Sequence, residues 1–140
     1  MIGLDSCRSS FGRLDFSFED TNTRLGERRL VGFAPRGRVG VVELLERDGT
    51  AKVSLLVSGS SDGAAMSWAA ACVATLASWL GVDFSSWLAS QIRARGLEEN
   101  WSAARRFGPA TVSATVFPVD AVLICVENAP GLTGGVSRPE

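Results

Sequence analysis

Apolar and polar positions alternate through the first half of the chain with the two-residue period of half-buried strands. Leu14, Phe16 and Phe18 alternate with Arg13, Asp15, Ser17 and Glu19, which puts apolar side chains on one face of an extended segment and polar ones on the other. Residues 20–23 carry turn chemistry. A second short strand is predicted over residues 28–33, closed by Ala34-Pro35-Arg36-Gly37. Two β-rich runs, 38–46 and 51–58, then flank Arg47-Asp48-Gly49-Thr50. Asp-Gly in that position predicts a hairpin, because both turn residues tolerate positive φ. The first half therefore reads as an antiparallel meander.

The middle of the chain switches to helical periodicity with clear punctuation. Asp62 is placed to cap a first helix by accepting a hydrogen bond from an otherwise unpaired backbone N–H. Gly81 ends it in the left-handed conformation, with Val82 folding back over the last turn. Asp83 is placed to cap a second helix that carries Phe84, Trp87, Leu88 and Ile92 on one face and Ser85, Ser86 and Arg93 on the other. Gly96 followed by Leu97 repeats the stop signal. Residues 97–106 form a possible third, short helix with Leu97, Trp101 and Ala104 on one side.

After Gly108-Pro109 the strand pattern returns. Residues 111–117 alternate and are β-branched, 118–120 turn, and 121–126 are a continuous apolar run suited to a central strand. Gly, Pro and Ser enrich the tail from about residue 128, which is expected to be flexible. The order is ββββ-αα(α)-ββ. It predicts an α+β fold, a largely antiparallel sheet of about six strands with helices packed on one face. Residues 1–140 show no internal repeat and no linker, so a single domain is expected.

Composition adds mainly exclusions. The chain has 140 residues, 46% hydrophobic and 21% charged, with a net charge of −1. A chain of that length buries roughly 70% of its unfolded surface without disulfides or metals. Near-neutral charge argues against a nucleic-acid binder. The strong preference for arginine over lysine, with Lys52 alone, reads as high-GC, bacterial-like coding and carries no functional weight. Cys7, Cys72 and Cys125 are odd in number and widely spaced, so they suggest neither a zinc site nor a disulfide framework. Reduced thiols and a missing signal-peptide pattern point to a cytoplasmic protein. Between Asp62 and Asp83 no charge occurs, a length that reaches the spanning minimum. Ser67, Ala71, Ala74 and Ser78 nevertheless form a weakly polar stripe opposite Met66, Ala69, Val73, Leu76 and Leu80. That asymmetry favours a core helix, and no membrane association is expected.

The most conspicuous motif is Gly59-Ser60-Ser61-Asp62-Gly63, a G-x-S-x-G between an apolar strand and a helix. Over that strand, turn and helix it resembles the nucleophile elbow of the α/β-hydrolases, a likeness that implies Ser61 as nucleophile. The chain contains no histidine, and the hydrolase triad needs one to take the serine proton. Lys52, a formal substitute base, sits at the far end of the preceding strand. No catalytic residue, cofactor or metal site is assigned. The same loop, through Ser60, Ser61 and Gly63, offers an alternative anion site at a helix N-terminus, although the Asp62 carboxylate opposes it.

Two further groups are candidates for binding. Arg24, Arg28, Arg29, Arg36 and Arg38 form a basic stretch suited to a carboxylate or phosphate partner, but strand parity sends neighbouring side chains to opposite faces. Trp68, Trp79, Trp87 and Trp101 all lie in the helical half, where tryptophan serves either core packing or an interface. Glu43 and Glu46 fall on opposite strand faces, so they make no acid/base pair. The expectation is a non-catalytic protein-interaction or inhibitor-type module that binds a protein partner or associates with itself, as a homodimer, through a sheet face or these helices. The alternative is a small-molecule-binding domain or minor enzyme with an apolar pocket between sheet and helices, lined by Phe16, Phe18, Trp68 and Leu76.

Overall fold

Alternation within the strands decides which side of the molecule becomes the core. The computed structural model describes residues 2–22, 26–47, 50–59, 62–117, 121–129 and 132. Helix α1 (Ile2–Gly12) leads into β1 (Ser17–Asn22), β2 (Arg28–Phe33), β3 (Gly40–Arg47) and β4 (Thr50–Ser58). Helices α2 (Gly63–Leu80) and α3 (Ser85–Arg95) follow, and then β5 (Trp101–Phe107), β6 (Ala110–Phe117) and β7 (Ala121–Glu127). The strands form one seven-stranded antiparallel sheet in the order β1-β2-β3-β4-β7-β6-β5. The fold is α+β, and β4 is its middle strand.

One face of the sheet is fully packed. Val42, Leu44, Val53, Leu55, Val57, Val112, Ala114, Val116, Val122, Ile124 and Val126 point to it and are buried with Cys72, Leu76 and Leu80 of α2, Leu88 of α3, and Cys7 and Phe11 of α1. Gly32 is needed on this face: a Cβ there would lie 2.5 Å from the Phe18 ring and 2.9 Å from Val42. Phe18 thus crosses the β2 backbone to reach the core. Ala129 and Leu132, in the Gly/Pro-rich segment after β7, are also buried in this core. The rest of the tail lies outside the described residues, as do the predicted turns at Asp48-Gly49 and 118–120.

The punctuation of α2 is as expected. The Ala65 N–H donates to the Asp62 carboxylate. Gly81 has φ +70°, its N–H and that of Val82 both donate to the Ala77 carbonyl, and Val82 is buried. This tight exit alters the start of α3. Phe84, fully buried, is its N-cap residue without a side-chain cap bond, while Asp83 remains exposed outside the helix. Gly96 ends α3 with φ +78° and an N–H bond to the Ile92 carbonyl.

Three sequence expectations are revised. Residues 101–107 are β5, paired in register with β6, and no part of 97–106 is helical. The Gly108-Pro109 link closes a two-residue hairpin loop, with Gly108 at φ +62° as the first position of a II′-type turn requires. Trp101, Ala103 and Phe107 then share one strand face. Residues 13–15 form a turn after α1, not a strand. The Leu14 and Phe16 N–H groups both donate to the Phe11 carbonyl, Asp15 takes φ +63°, and β1 begins at Ser17 and runs through the expected turn at 20–22. Finally, α2 is less enclosed than a core helix. Only Cys72, Leu76 and Leu80 are fully buried, and Met66, assigned to its apolar side, is exposed. It remains the one helix among the described residues long and apolar enough to cross a membrane by length and composition.

Candidate functional site

The tryptophans act as rivets between elements. Trp68 on α2 donates its indole N–H to the Val39 carbonyl at 3.2 Å, stacks on Phe16 at 5.8 Å, and carries the Arg38 guanidinium 5.8 Å from its ring centre. The β2–β3 connection is thereby fastened to α2. Trp79 donates to Ser6 Oγ at 2.9 Å and meets Phe11 edge-on, joining α2 to α1. Trp87 meets Phe107 edge-on across α3 and β5. Trp101 donates to the Gly96 carbonyl at 2.8 Å, with Arg95 over its ring. Of the predicted binding residues, the structure brings together Trp68 and Arg38, and all four indoles are half-buried in internal contacts.

Arginines of the basic stretch diverge as parity requires. Arg28 points toward the helix side, 3.6 Å from Asp20, which also accepts from Arg8 at 3.3 Å. Arg29 points to the opposite face and pairs with Glu43. Arg36 stands exposed in the β2–β3 connection. In the elbow-like motif, Ser60 and Ser61 lie outside the described residues. Gly63 opens α2, and the Asp62 carboxylate already caps that end. Lys52 sits at the other end of β4, in register with Glu127.

Cys7 and Cys72 are enclosed in the core, and burial pushes their thiols up to about 12 and about 11. At neutral pH both are protonated and poor nucleophiles. Cys125 points to the other face of the sheet, its sulfur 3.6 Å from Ser54 Oγ. No group of histidine, cysteine and carboxylate side chains able to hold a metal occurs among the described residues.

That other face is the feature the residue-by-residue reading missed. Among the described residues no helix covers it. In register across the sheet, Phe33, Val41, Leu56 and Leu123 form one apolar row, continued by Thr115 and Ser102. Beside it, at the sheet end, Ala121 and Phe117 pair. Val41, Leu56 and Leu123 are half-buried, and Phe33 and Phe117 are exposed by 44% and 46%. Toward the opposite end polar and charged side chains, Arg29, Glu43, Ser54, Lys52, Glu127, Thr111 and Arg106, alternate with Val31, Leu45 and Cys125. An apolar centre bounded by charge is the anatomy of an interface. The signal was present in the sequence as the unbroken apolar run of residues 121–126. Such a run belongs to a strand covered on both faces, yet the described helices cover only one.

A second concave feature lies on the helix side at the same sheet end. It is a groove of about 530 Å³ between α2 and α3, floored by Val57 and Val122. Its lining does not include Phe16, Phe18, Trp68 or Leu76, which are consumed in packing, so the sequence-expected pocket is displaced toward α3. The chain matches no known protein family, no curated protein and no solved structure.

Proposed function

We propose that this chain is a non-catalytic interaction module that docks protein through the open face of its sheet, and that the occupant is a second copy of itself. The single observation behind this reading is the apolar row Phe33–Val41–Leu56–Leu123 on an uncovered sheet face. An open strand surface suits another sheet better than a small molecule, whose sites are concave.

Self-pairing is favoured by the symmetry of the patch. It extends two strands to either side of β4, to Phe33 on β2 and to Phe117 on β6. A two-fold axis along β4 lays Leu56 on its own copy, Val41 on Leu123, and Phe33 on Thr115 beside Phe117. Every contact off the axis is thereby made twice, as an isologous interface requires. At the polar end the same axis brings the two Lys52 side chains together, so closure is confined to the apolar end. Association through such a face is expected to depend on concentration, since buried area alone does not set affinity.

Sedimentation equilibrium over a wide concentration range tests this. The wild-type chain is expected to approach twice the monomer mass, and Leu56→Asp, which places a charge on the axis, to remain monomeric with unchanged circular dichroism. A wild-type chain that stays monomeric throughout, or a Leu56→Asp chain that dimerises equally well, overturns it.

A further inference from the structure

The helix-side groove has a character distinct from the sheet face. Its α2 wall presents Met66, Ala69, Ala70, Val73 and Ala74, its α3 wall Leu88 and Ile92, and its floor Val57 and Val122. Its 530 Å³ falls within the range of small-molecule sites. Among the described lining residues Arg93 carries the one charge; it is exposed and has no ion-pair partner among the described residues. Four of the lining residues, Ala69, Ala70 and Ala74 on α2 and Ala89 on α3, are alanines, which leave room between the larger Met66, Val73, Leu88 and Ile92 for an unbranched chain. Helix α2 also shows no charge on its outward side, where a solvated helix normally carries several.

From these features we propose that the α2–α3 groove binds a single-chain alkyl amphiphile with an anionic head, of the fatty-acid class. The alkyl chain lies between the alanines of α2 and the Leu88–Ile92 face of α3. The carboxylate takes a charge-assisted hydrogen bond from the Arg93 guanidinium at the groove margin. Asp83 and the Glu98-Glu99 pair flank the groove in sequence without lining it, so the head is drawn to the Arg93 side. The site is on the opposite face of the sheet from the proposed dimer contact and does not depend on it.

The test is calorimetric titration with sodium dodecanoate kept below its micelle concentration, with dodecanol as the neutral analogue. Saturable one-to-one binding is expected. Ala74→Trp, an exposed substitution that fills the groove, should weaken both ligands at least about tenfold, since the wall it occupies is the binding surface. Arg93→Glu should weaken dodecanoate at least about fivefold and leave dodecanol unchanged. Leu56→Asp should bind dodecanoate as the wild type does, which separates this site from self-association. Absence of saturable binding, indifference to Ala74→Trp, or equal loss of both ligands in Arg93→Glu would overturn the proposal. So would binding to phosphatidylglycerol vesicles without binding to monomeric dodecanoate, because that places the affinity in a membrane surface.

Discussion

The two faces of the sheet are made by the same strands, and β4 shows how differently they are used. Val53, Leu55 and Val57 point to the helices and are at most 2% exposed, while Ser54 and Leu56, between them, are only half-buried on the other side. The first face is closed by three helices and the four tryptophan contacts. The second is an apolar row set against a polar half, with no helix of the described chain upon it. Apolar character alone therefore does not distinguish core from interface. What distinguishes them is whether another element of the same chain can reach the face, and the helices, joined by a tight Gly81 exit, lie on one side only.

The sharpest way to break this comparison is to truncate neighbours in one strand. Leu55→Ala is expected to cost about 2–5 kcal/mol of folding stability, the range for a large-to-small change in a packed core. Leu56→Ala, one residue away, should cost clearly less in the dilute monomer, since its side chain is half-buried and no cavity closed on all sides is left behind. Urea denaturation of the two variants at low protein concentration measures both. Equal losses would mean that the second face is packed after all.

The packed face should also respond to alkali. Unfolded thiols ionise near pH 9, while burial holds Cys7 to about 12 and Cys72 to about 11. The sign follows directly. Both folded pKa values are raised, so the unfolded state loses protons first, and stability present below pH 9 is lost as pH rises toward 11 and 12. The slope approaches about 1.4 kcal/mol per pH unit for each thiol. The chain has no histidine or tyrosine, so urea midpoints should be nearly flat from pH 6 to 8 and fall above 9. Cys7→Ala with Cys72→Ala should lower stability overall and flatten that alkaline fall.

A smaller effect sits where the second face gives way to the helix side. Asp62 both caps α2 and is the fourth residue of the elbow-like motif. Asp62→Ala is expected to cost about 1 kcal/mol through loss of the bond from the Ala65 N–H. Asp62→Asn should retain most of it, since the amide oxygen can still accept. Thermal unfolding of the pair separates a capping role from one that requires the charge.

How much of this was legible follows from what local pattern encodes. The Asp62 and Gly81 signals are local backbone chemistry, and both were readable. Trp101–Phe107 was misread because Glu98-Glu99 and Arg105-Arg106 imitate helix charge placement, whereas its strand character depends on pairing across Gly108-Pro109 with residues 110–117. Helix α1 was overlooked because its short apolar stripe, Cys7 and Phe11 four residues apart among serines and arginines, is weak without α2 to pack against. The binding candidates suffered from the same limit. Tryptophan chemistry suits core and interface alike, and only tertiary placement shows that Trp68 clamps the Val39 carbonyl. The open face needed register, because Phe33, Val41, Leu56 and Leu123 come from four strands and form no motif in sequence.

The smallest expected effect tests the polar half of that open face. Arg29 and Glu43 pair there, with side chains 43% and 32% exposed. At that exposure solvent screens the attraction, and a double-mutant cycle of Arg29→Ala and Glu43→Ala should give a coupling of about 0.2–1 kcal/mol. The pair flanks Val31, which is only 4% exposed although it points to the uncovered side, so either single change also uncovers Val31. If the face is built for self-association, uncovering an apolar residue beside the patch should leave dimerisation intact or strengthen it slightly, even as the monomer loses its ion pair. Sedimentation of Glu43→Ala reads that directly. A marked loss of association would show that the contact is held by charges at the polar half, and the apolar row would then no longer account for it.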